Sequence, residues 1–264
     1  MTSIQPVPDA YLGVWQRKRL ESPLSIDDTS HVFWLQTSSL HADIRIPADR
    51  PSFTGKSRLQ DFSIDELKLL ASQQGFAGKT KVIGDTCLWE RHLDYQPTTG
   101  KRDIGRMQFS GNQIVETGID SDYSEIWQKL PESEGQVVSL RFMEEKTSRH
   151  HTRHQKGILV VSGDYFIYAR DRRTTLSNSA SLEALFNEID LAKEQLIDIL
   201  DLDISFGQRT QGNSPWEIQL STLPYREGQP LLSETTWSAI NHAKGIYVQH
   251  ESSENGPVVR RWLR

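Results

Sequence analysis

Along the chain, apolar and polar positions alternate in short runs separated by turn chemistry. Residues 11–20 open with Gly13-Val14-Trp15 and continue with Arg and Lys at alternating, outward positions. Residues 22–28 hold Pro23, Asp27 and Asp28, the composition of a hairpin turn. Two further runs, 31–37 and 40–47, are joined by Ser38-Ser39. In the second, Leu40, Ala42, Ile44 and Ile46 fall on one face and His41, Asp43 and Arg45 on the other, the period of two that a strand imposes. A charged strand face normally meets water, but inside a barrel that encloses a cavity the same row is the lining of a pocket. Runs at 76–84, 85–95, 102–109, 113–118 and 123–130 follow, with Trp89, Arg91, Leu93 and Tyr95 sharing a face. Short strands at this spacing predict an antiparallel meander or barrel.

Two segments switch to the helical period. In residues 63–74, Ser63 and Glu66 form a capping box, Gly75 is the stop, and Ile64, Leu67, Leu70 and Ala71 make the apolar stripe. In residues 181–200, Ser181 caps a stripe of Leu182, Leu185, Phe186, Ile189, Leu196, Ile197 and Leu200. Each predicts one helix covering the open end of a barrel.

The order of elements then repeats. Trp89-Glu90 recurs as Trp216-Glu217, and the spacing from Phe76 to Trp89 equals that from Asp203 to Trp216. Gly135-Gln136-Val137 and Arg141-Phe142 stand where Gly13-Val14-Trp15 and Arg19-Leu20 stood, 157–170 replaces 31–45, and Arg261-Trp262 replaces Ile126-Trp127. Residues 131–135 read as a boundary. The expected fold is mainly β: two tandem antiparallel barrels, residues 1–133 and 134–264, each with one covering helix. The alternative is one large sheet whose strands merely look alike.

Composition narrows the function classes. At 36% hydrophobic and 25% charged residues over 264 positions, the chain is a soluble globular protein. A net charge of -5 argues against gripping phosphate backbones, so nucleic acid is set aside. Residues 1–10 have no basic start or apolar run, and no later stretch is long and apolar enough for a membrane span. Cys87 has no cysteine to pair with, which fits a reducing, cytoplasmic setting. Seven tryptophans, many of them in strand-like runs, suit a broad sheet face.

Gly13-x-Trp15 in a first strand, followed by a meander of about eight strands, resembles the lipocalin and fatty-acid-binding superfamily of calycin barrels. In that superfamily the tryptophan closes one barrel end under an arginine from a late strand. Residues 123–130 contain no arginine, and Val137 stands where a second unit would carry the tryptophan. Glu116-Thr117-Gly118 and Tyr123-Ser124-Glu125-Ile126-Trp127-Gln128 are similar to a stretch in a fungal family of small two-barrel proteins named for interacting with a casein-kinase-1-type kinase. That resemblance implies paired lipocalin-like barrels with no established enzymatic activity.

The candidate ligand-binding residues are Trp34, Asp43, Arg45, Trp89, Arg91, Arg106, Glu116, Tyr123 and Trp127. Aromatic surface with a few placed charges is the usual make-up of a small-molecule site, and the Arg fork suits a carboxylate. The expected function is therefore non-enzymatic binding of a small amphipathic or acidic ligand in the first barrel. A second class is an interaction or scaffold protein without a pocket, meeting a protein partner through an outer sheet face, a helix or the His150 loop. A third is a barrel-based hydrolase or isomerase with His92 or His41 as base beside Asp43 or Glu90. No cofactor or metal is assigned. His150-His151-x-x-His154 could share an ion on one helical turn, but no Glu or Cys nearby completes the set. Cys87, beside Leu88 and Trp89, is expected to be a buried, inert thiol. No Gly-x-Ser-x-Gly elbow is present, and Gly75-x-x-Gly78-Lys79-Thr80 lacks the spacing of a phosphate loop.

Overall fold

The first half of the chain forms nine strands: β1 (Gly13–Glu21), β2 (Ile26–Asp27), β3 (His31–Gln36), β4 (Leu40–Ile46), β5 (Gln74–Ile83), β6 (Thr86–Asp94), β7 (Asp103–Ser110), β8 (Gln113–Gly118) and β9 (Ser124–Lys129). In this computed structural model, which describes residues 6–147, 152–153, 156–209, 216–242, 245–253 and 256–263, β1 pairs with both β3 and β9. Eight antiparallel strands therefore close into a barrel, and β2 only extends the end of β1. Closure removes the sheet edges. Between β4 and β5, helix α1 (Ile64–Leu69) starts at the expected capping box: Ser63 Oγ accepts from the Glu66 amide at 3.2 Å and the Glu66 carboxylate from the Ser63 amide at 2.7 Å. It is shorter than its apolar stripe, because Leu70–Ser72 tighten into a 3-10 turn and β5 begins at Gln74.

The second half runs β10 (Val137–Thr147), β11 (Thr152–Arg153), β12 (Gly157–Ser162), β13 (Tyr165–Arg170), α2 (Leu182–Glu188), α3 (Lys193–Leu200), β14 (Asp203–Gln208), β15 (Glu217–Ser221), α4 (Glu234–His242), β16 (Ile246–Ser253) and β17 (Gly256–Leu263). Its sheet order is β15-β14-β13-β12-β10-β17-β16, with β11 appended to β10. Among the described residues no pairing joins β15 to β16, so the expected second barrel is not closed. The reason lies in residues 231–242. Where the first half continues into β7, the second forms α4, whose Trp237 and Ile240 pack into the inner core with Phe166, Trp216 and Trp262. The single covering helix expected at 181–200 is two helices. Ile189 leaves the helical conformation, and the chain restarts at Ala192, whose amide is capped by the Gln195 side chain at 2.9 Å.

Strand pairing nevertheless matches the two halves element by element: β1, β3, β4, β5, β6, β8 and β9 correspond to β10, β12, β13, β14, β15, β16 and β17. Both carry a bulge at the same place. His92 is the extra residue opposite Ala77 and Gly78, and Gln219 is the extra residue opposite Phe206 and Gly207. Trp89 and Trp216 each lie two residues before the partner of the bulge glycine, so they hold equivalent positions, and both face an inner core. The matched spacing seen in the sequence is not the register, however. Counted from the glycines, Phe76 corresponds to Ser205, because Gly207 and its partner Ile218 are 11 positions apart and Gly78 and Arg91 are 13. A Cβ on Gly78 would lie 1.8 Å from the Glu90 carbonyl oxygen. Gly78→Ala is therefore expected to lose about 1–3 kcal/mol through overpacking, read as a lowered urea midpoint.

The largest core lies between the two sheets. Leu35, Ala42, Ile44 and Ile46 on the outside of the barrel pack with Ile158, Val160, Ile167, Ala169 and Ile204 of the second sheet and with buried leucines of α1, α2 and α3. Phe33 stacks on Phe206 with centroids 4.1 Å apart. Arg50 adds polar ties, donating to the Ser221 carbonyl at 2.7 Å and pairing with Glu227 at 2.5 Å. The apolar row of β4 thus faces out, into this core, and its polar row faces into the barrel. The same geometry splits the β6 row at the His92 bulge: Trp89 and Arg91 point inward, Leu93 and Tyr95 into the inter-sheet core.

Candidate functional site

Inside the first barrel is a cavity of about 170 Å³. Trp34 reaches it from β3, Asp43 and Arg45 from β4, Trp89 and Arg91 from β6, Glu116 from β8, Tyr123 from the turn before β9, and Trp127 from β9. All are positions that a period of two turns inward. The Trp34 ring meets Trp89 and Trp127 edge to face at 5.7 and 5.8 Å. Arg106, the remaining candidate, is not in the cavity. Gly105 and Met107 occupy the inward positions of β7, so Arg106 points out and pairs with Asp85 at 3.1 Å.

The charges in and around the cavity are paired. Arg45 donates from Nε to Asp43 Oδ1 at 2.9 Å and lies 3.5 Å from Glu125 Oε1. Arg17 donates to the same Glu125 oxygen at 2.8 Å and bonds Asp27. Arg91 grips Asp103 Oδ2 through Nε and Nη2, at 2.9 and 2.7 Å, and Asp94 through Nη1 at 3.1 Å, while its guanidinium lies 3.7 Å from the Phe76 centroid. The arginine forks expected to grip a ligand carboxylate are thus engaged by the protein's own acids.

Glu116 is held differently. Its Oε1 accepts from the Tyr123 hydroxyl at 2.7 Å and its Oε2 from Trp127 Nε1 at 3.0 Å, and among the described residues it has no ion pair. Burial, then the Glu125 charge, push its carboxyl up to about 8, against the Tyr123 hydrogen bond and Arg45. The folded value exceeds the ordinary one near 4.5, so the native state binds more protons between the two and loses stability as pH rises through that window. Glu116→Gln removes the dependence. Relative to wild type, its unfolding free energy from urea denaturation is expected to be higher at pH 8 than at pH 5, by at least about 1 kcal/mol.

No family model matches the chain, and no curated protein matches it. The fold has a solved counterpart. The chain is similar in structure to an uncharacterized protein, YLR301w from Saccharomyces cerevisiae, at 15% identity and a TM-score of 0.50, covering 95% of this chain and 96% of that one. At that identity the likeness concerns the fold alone.

The enzymatic constellations do not assemble. His41 is buried with Nδ1 3.0 Å from Thr80 Oγ1, which donates to Gln36 Oε1 at 2.7 Å, and burial followed by the Arg91 charge lowers it to about 3. It is therefore neutral at ordinary pH. His92, the bulge residue, is exposed, and Glu90 pairs with Lys81 at 2.5 Å on the outside. Among the described residues no histidine hydrogen-bonds a carboxylate. Cys87 is buried in the barrel core and burial raises its thiol pKa; it is expected to resist a thiol-specific reagent in the native protein and to react fully in urea. His150, His151 and His154 lie outside the described residues. No described helix is long and apolar enough to cross a membrane.

The cavity also uses residues that the alternation did not single out: Leu20, Phe76, Asp103 and Glu125 line it, and Arg17 supports it from below. Glu125 was legible, since it shares a face with Tyr123 and Trp127. Leu20 was not, because a bulge between Arg17 and Arg19 resets the parity of β1 and brings it inward, whereas Arg17 lies before the bulge and faces inward with Trp15 by plain alternation. In the second half the strand register puts Phe142 at the place of Arg17, Leu159 at Trp34, Tyr168 at Asp43, Gln249 at Glu116 and Arg260 at Glu125. Trp262 keeps the place of Trp127 and donates to Gln249 at 2.7 Å, as Trp127 does to Glu116. Arg170 likewise holds the place of Arg45, so the second half keeps arginines at two of these positions, and the carboxylates Asp43, Glu116 and Glu125 belong to the first barrel.

Proposed function

We propose that the protein is a non-enzymatic binder of a small amphipathic molecule, held inside the first barrel, and that its architecture is calycin-like, in keeping with the resemblance to the fungal two-barrel family. The observation that carries this reading is the inward polar row of β4 among tryptophan walls around a cavity of about 170 Å³. Charges are not needed inside a barrel whose stability comes from its covered exterior, and burying them is costly. The element-by-element correspondence of the two halves supports descent from one duplicated unit, in which the first copy kept the cavity and the second filled its inner face with aromatic side chains and α4. The sole cysteine, buried and unpaired, fits a reducing, cytoplasmic setting.

Native mass spectrometry of freshly purified protein, paired with a fragment screen read by tryptophan fluorescence, tests the reading. A bound small molecule is expected, and it should be lost when Leu20→Trp fills the cavity. Binding that survives this plug moves the site elsewhere, and the absence of any binder from both measurements sets the reading aside.

A further inference from the structure

Resting on the binding role just argued, we propose that the cavity of the first barrel takes a small organic monocation: an alkylated ammonium group that also carries a hydroxyl or carbonyl oxygen. The charge balance is the first reason. Two guanidiniums, Arg45 and Arg91, line the cavity with four carboxyl groups, Asp43, Asp103, Glu116 and Glu125. Three of the four are tied to arginines, Glu125 with the help of Arg17, and Glu116 is left with neutral donors only. An entering anion would find no open guanidinium fork and would add to the acidic excess. A cation relieves the excess where it is unpaired.

The walls suit the same guest. Trp127 and Tyr123 hydrogen-bond Glu116 directly, and Trp34 and Trp89 line the same cavity. Aromatic rings beside a carboxylate offer an alkylammonium ion both a countercharge and the negative face of a ring. Phe76 already holds such a contact with Arg91. The oxygen on the ligand follows from Trp34, which is almost fully buried and whose Nε1 has no hydrogen-bond partner. A buried donor without an acceptor is costly, and a hydroxyl or carbonyl would answer it. Size sets the upper bound, since cavities of about 150 Å³ hold molecules the size of benzene. A groove of about 680 Å³ that shares Trp89, Arg91, Asp103 and Tyr123 with the cavity gives the route from solvent.

Binding should also move a proton. Glu116 is flanked by Glu125 from β9, Asp103 from β7, Asp43 and Arg45 from β4, Arg91 from β6, Arg17 from β1 and the Tyr123 hydroxyl, and it is raised to about 8 in this setting. A cation beside it favours the carboxylate, so near neutral pH the Glu116 proton leaves to buffer as the cation enters.

Isothermal titration of the full chain with choline, its neutral carbon isostere 3,3-dimethylbutan-1-ol and the anion 3,3-dimethylbutanoate separates the possibilities. Choline is expected to bind at least about tenfold more tightly than the neutral isostere, with no detectable binding of the anion. In buffers of different ionisation enthalpy, the choline heats should differ in the sense of proton release. Glu116→Gln should lose that difference and about tenfold in choline affinity, a larger loss than for the neutral isostere. Equal or stronger binding of the neutral or anionic compound overturns the cation assignment but leaves a binding protein. Unchanged choline affinity in Glu116→Gln overturns it too. If none of the three binds while the fragment screen yields another ligand, the cation is wrong; if that screen is also empty, the binding role falls with it.

Discussion

Expressed as separate chains, residues 1–133 and 134–264 are expected to aggregate or to be recovered only when co-expressed. Each half has the length of an ordinary domain, and the first closes its own barrel with its own inner core. What neither half has alone is a cover for its outer face. Leu35, Ala42, Ile44 and Ile46 on one side and Ile158, Val160, Ile167, Ile204 and Phe206 on the other are all buried, and they form a single cluster. Separation would turn that cluster into two exposed apolar sheet faces, which soluble monomers do not tolerate. Size-exclusion chromatography with urea unfolding is the check, and a monomeric first half with a cooperative transition of its own would refute the expectation.

Arg17→Ala is expected to destabilise the full chain by about 3–5 kcal/mol, the range for removing one partner of a buried ion pair. Arg17 and Glu125 are both nearly inaccessible and 2.8 Å apart. Without Arg17, Glu125 keeps only the longer Arg45 contact at 3.5 Å. The double variant Arg17→Met with Glu125→Gln removes charge and countercharge together and should recover most of the loss. Urea denaturation of the set decides. A loss below about 1 kcal/mol in Arg17→Ala would mean that Arg45 alone can neutralise Glu125.

The strand pattern carried most of the first barrel. The alternation of β4 was plain in Leu40 to Ile46, but which face met the core was not, because a period of two is symmetric between inside and outside. That choice depended on the second sheet, a tertiary fact. Bulges set the other limit: one extra residue at His92 and one after Arg17 reverse the side-chain parity beyond them, which moves Leu93 off the Trp89 face and turns Leu20 inward, while Arg17, two residues from Trp15, is inward by alternation alone and only its charge suggests the outside. Arg106 failed for the simpler reason that an arginine in a strand reads alike on either face. The Trp89 and Trp216 pair pointed to equivalent positions, although the spacing that suggested it was not the structural register. The open second sheet was hidden in residues 231–242, where Trp237 and Ile240 have helical spacing and Ser233 Oγ accepts from the Thr236 amide at 3.1 Å.

The inverted strand β4 has a consequence for how this protein can vary. Most barrels must fill their lumen with packed side chains to stay folded, which ties any change in the lumen to a change in stability. Here the hydrophobic anchoring of β4 sits behind the wall, in Ala42, Ile44 and Ile46, and the lumen side of the same strand carries none of it. Substitutions at Asp43 and Arg45, made together and with Glu125 still held by Arg17, can therefore explore new chemistry while the outer row holds the strand in register. The first barrel is built as a socket whose contacts can be exchanged without rebuilding its frame.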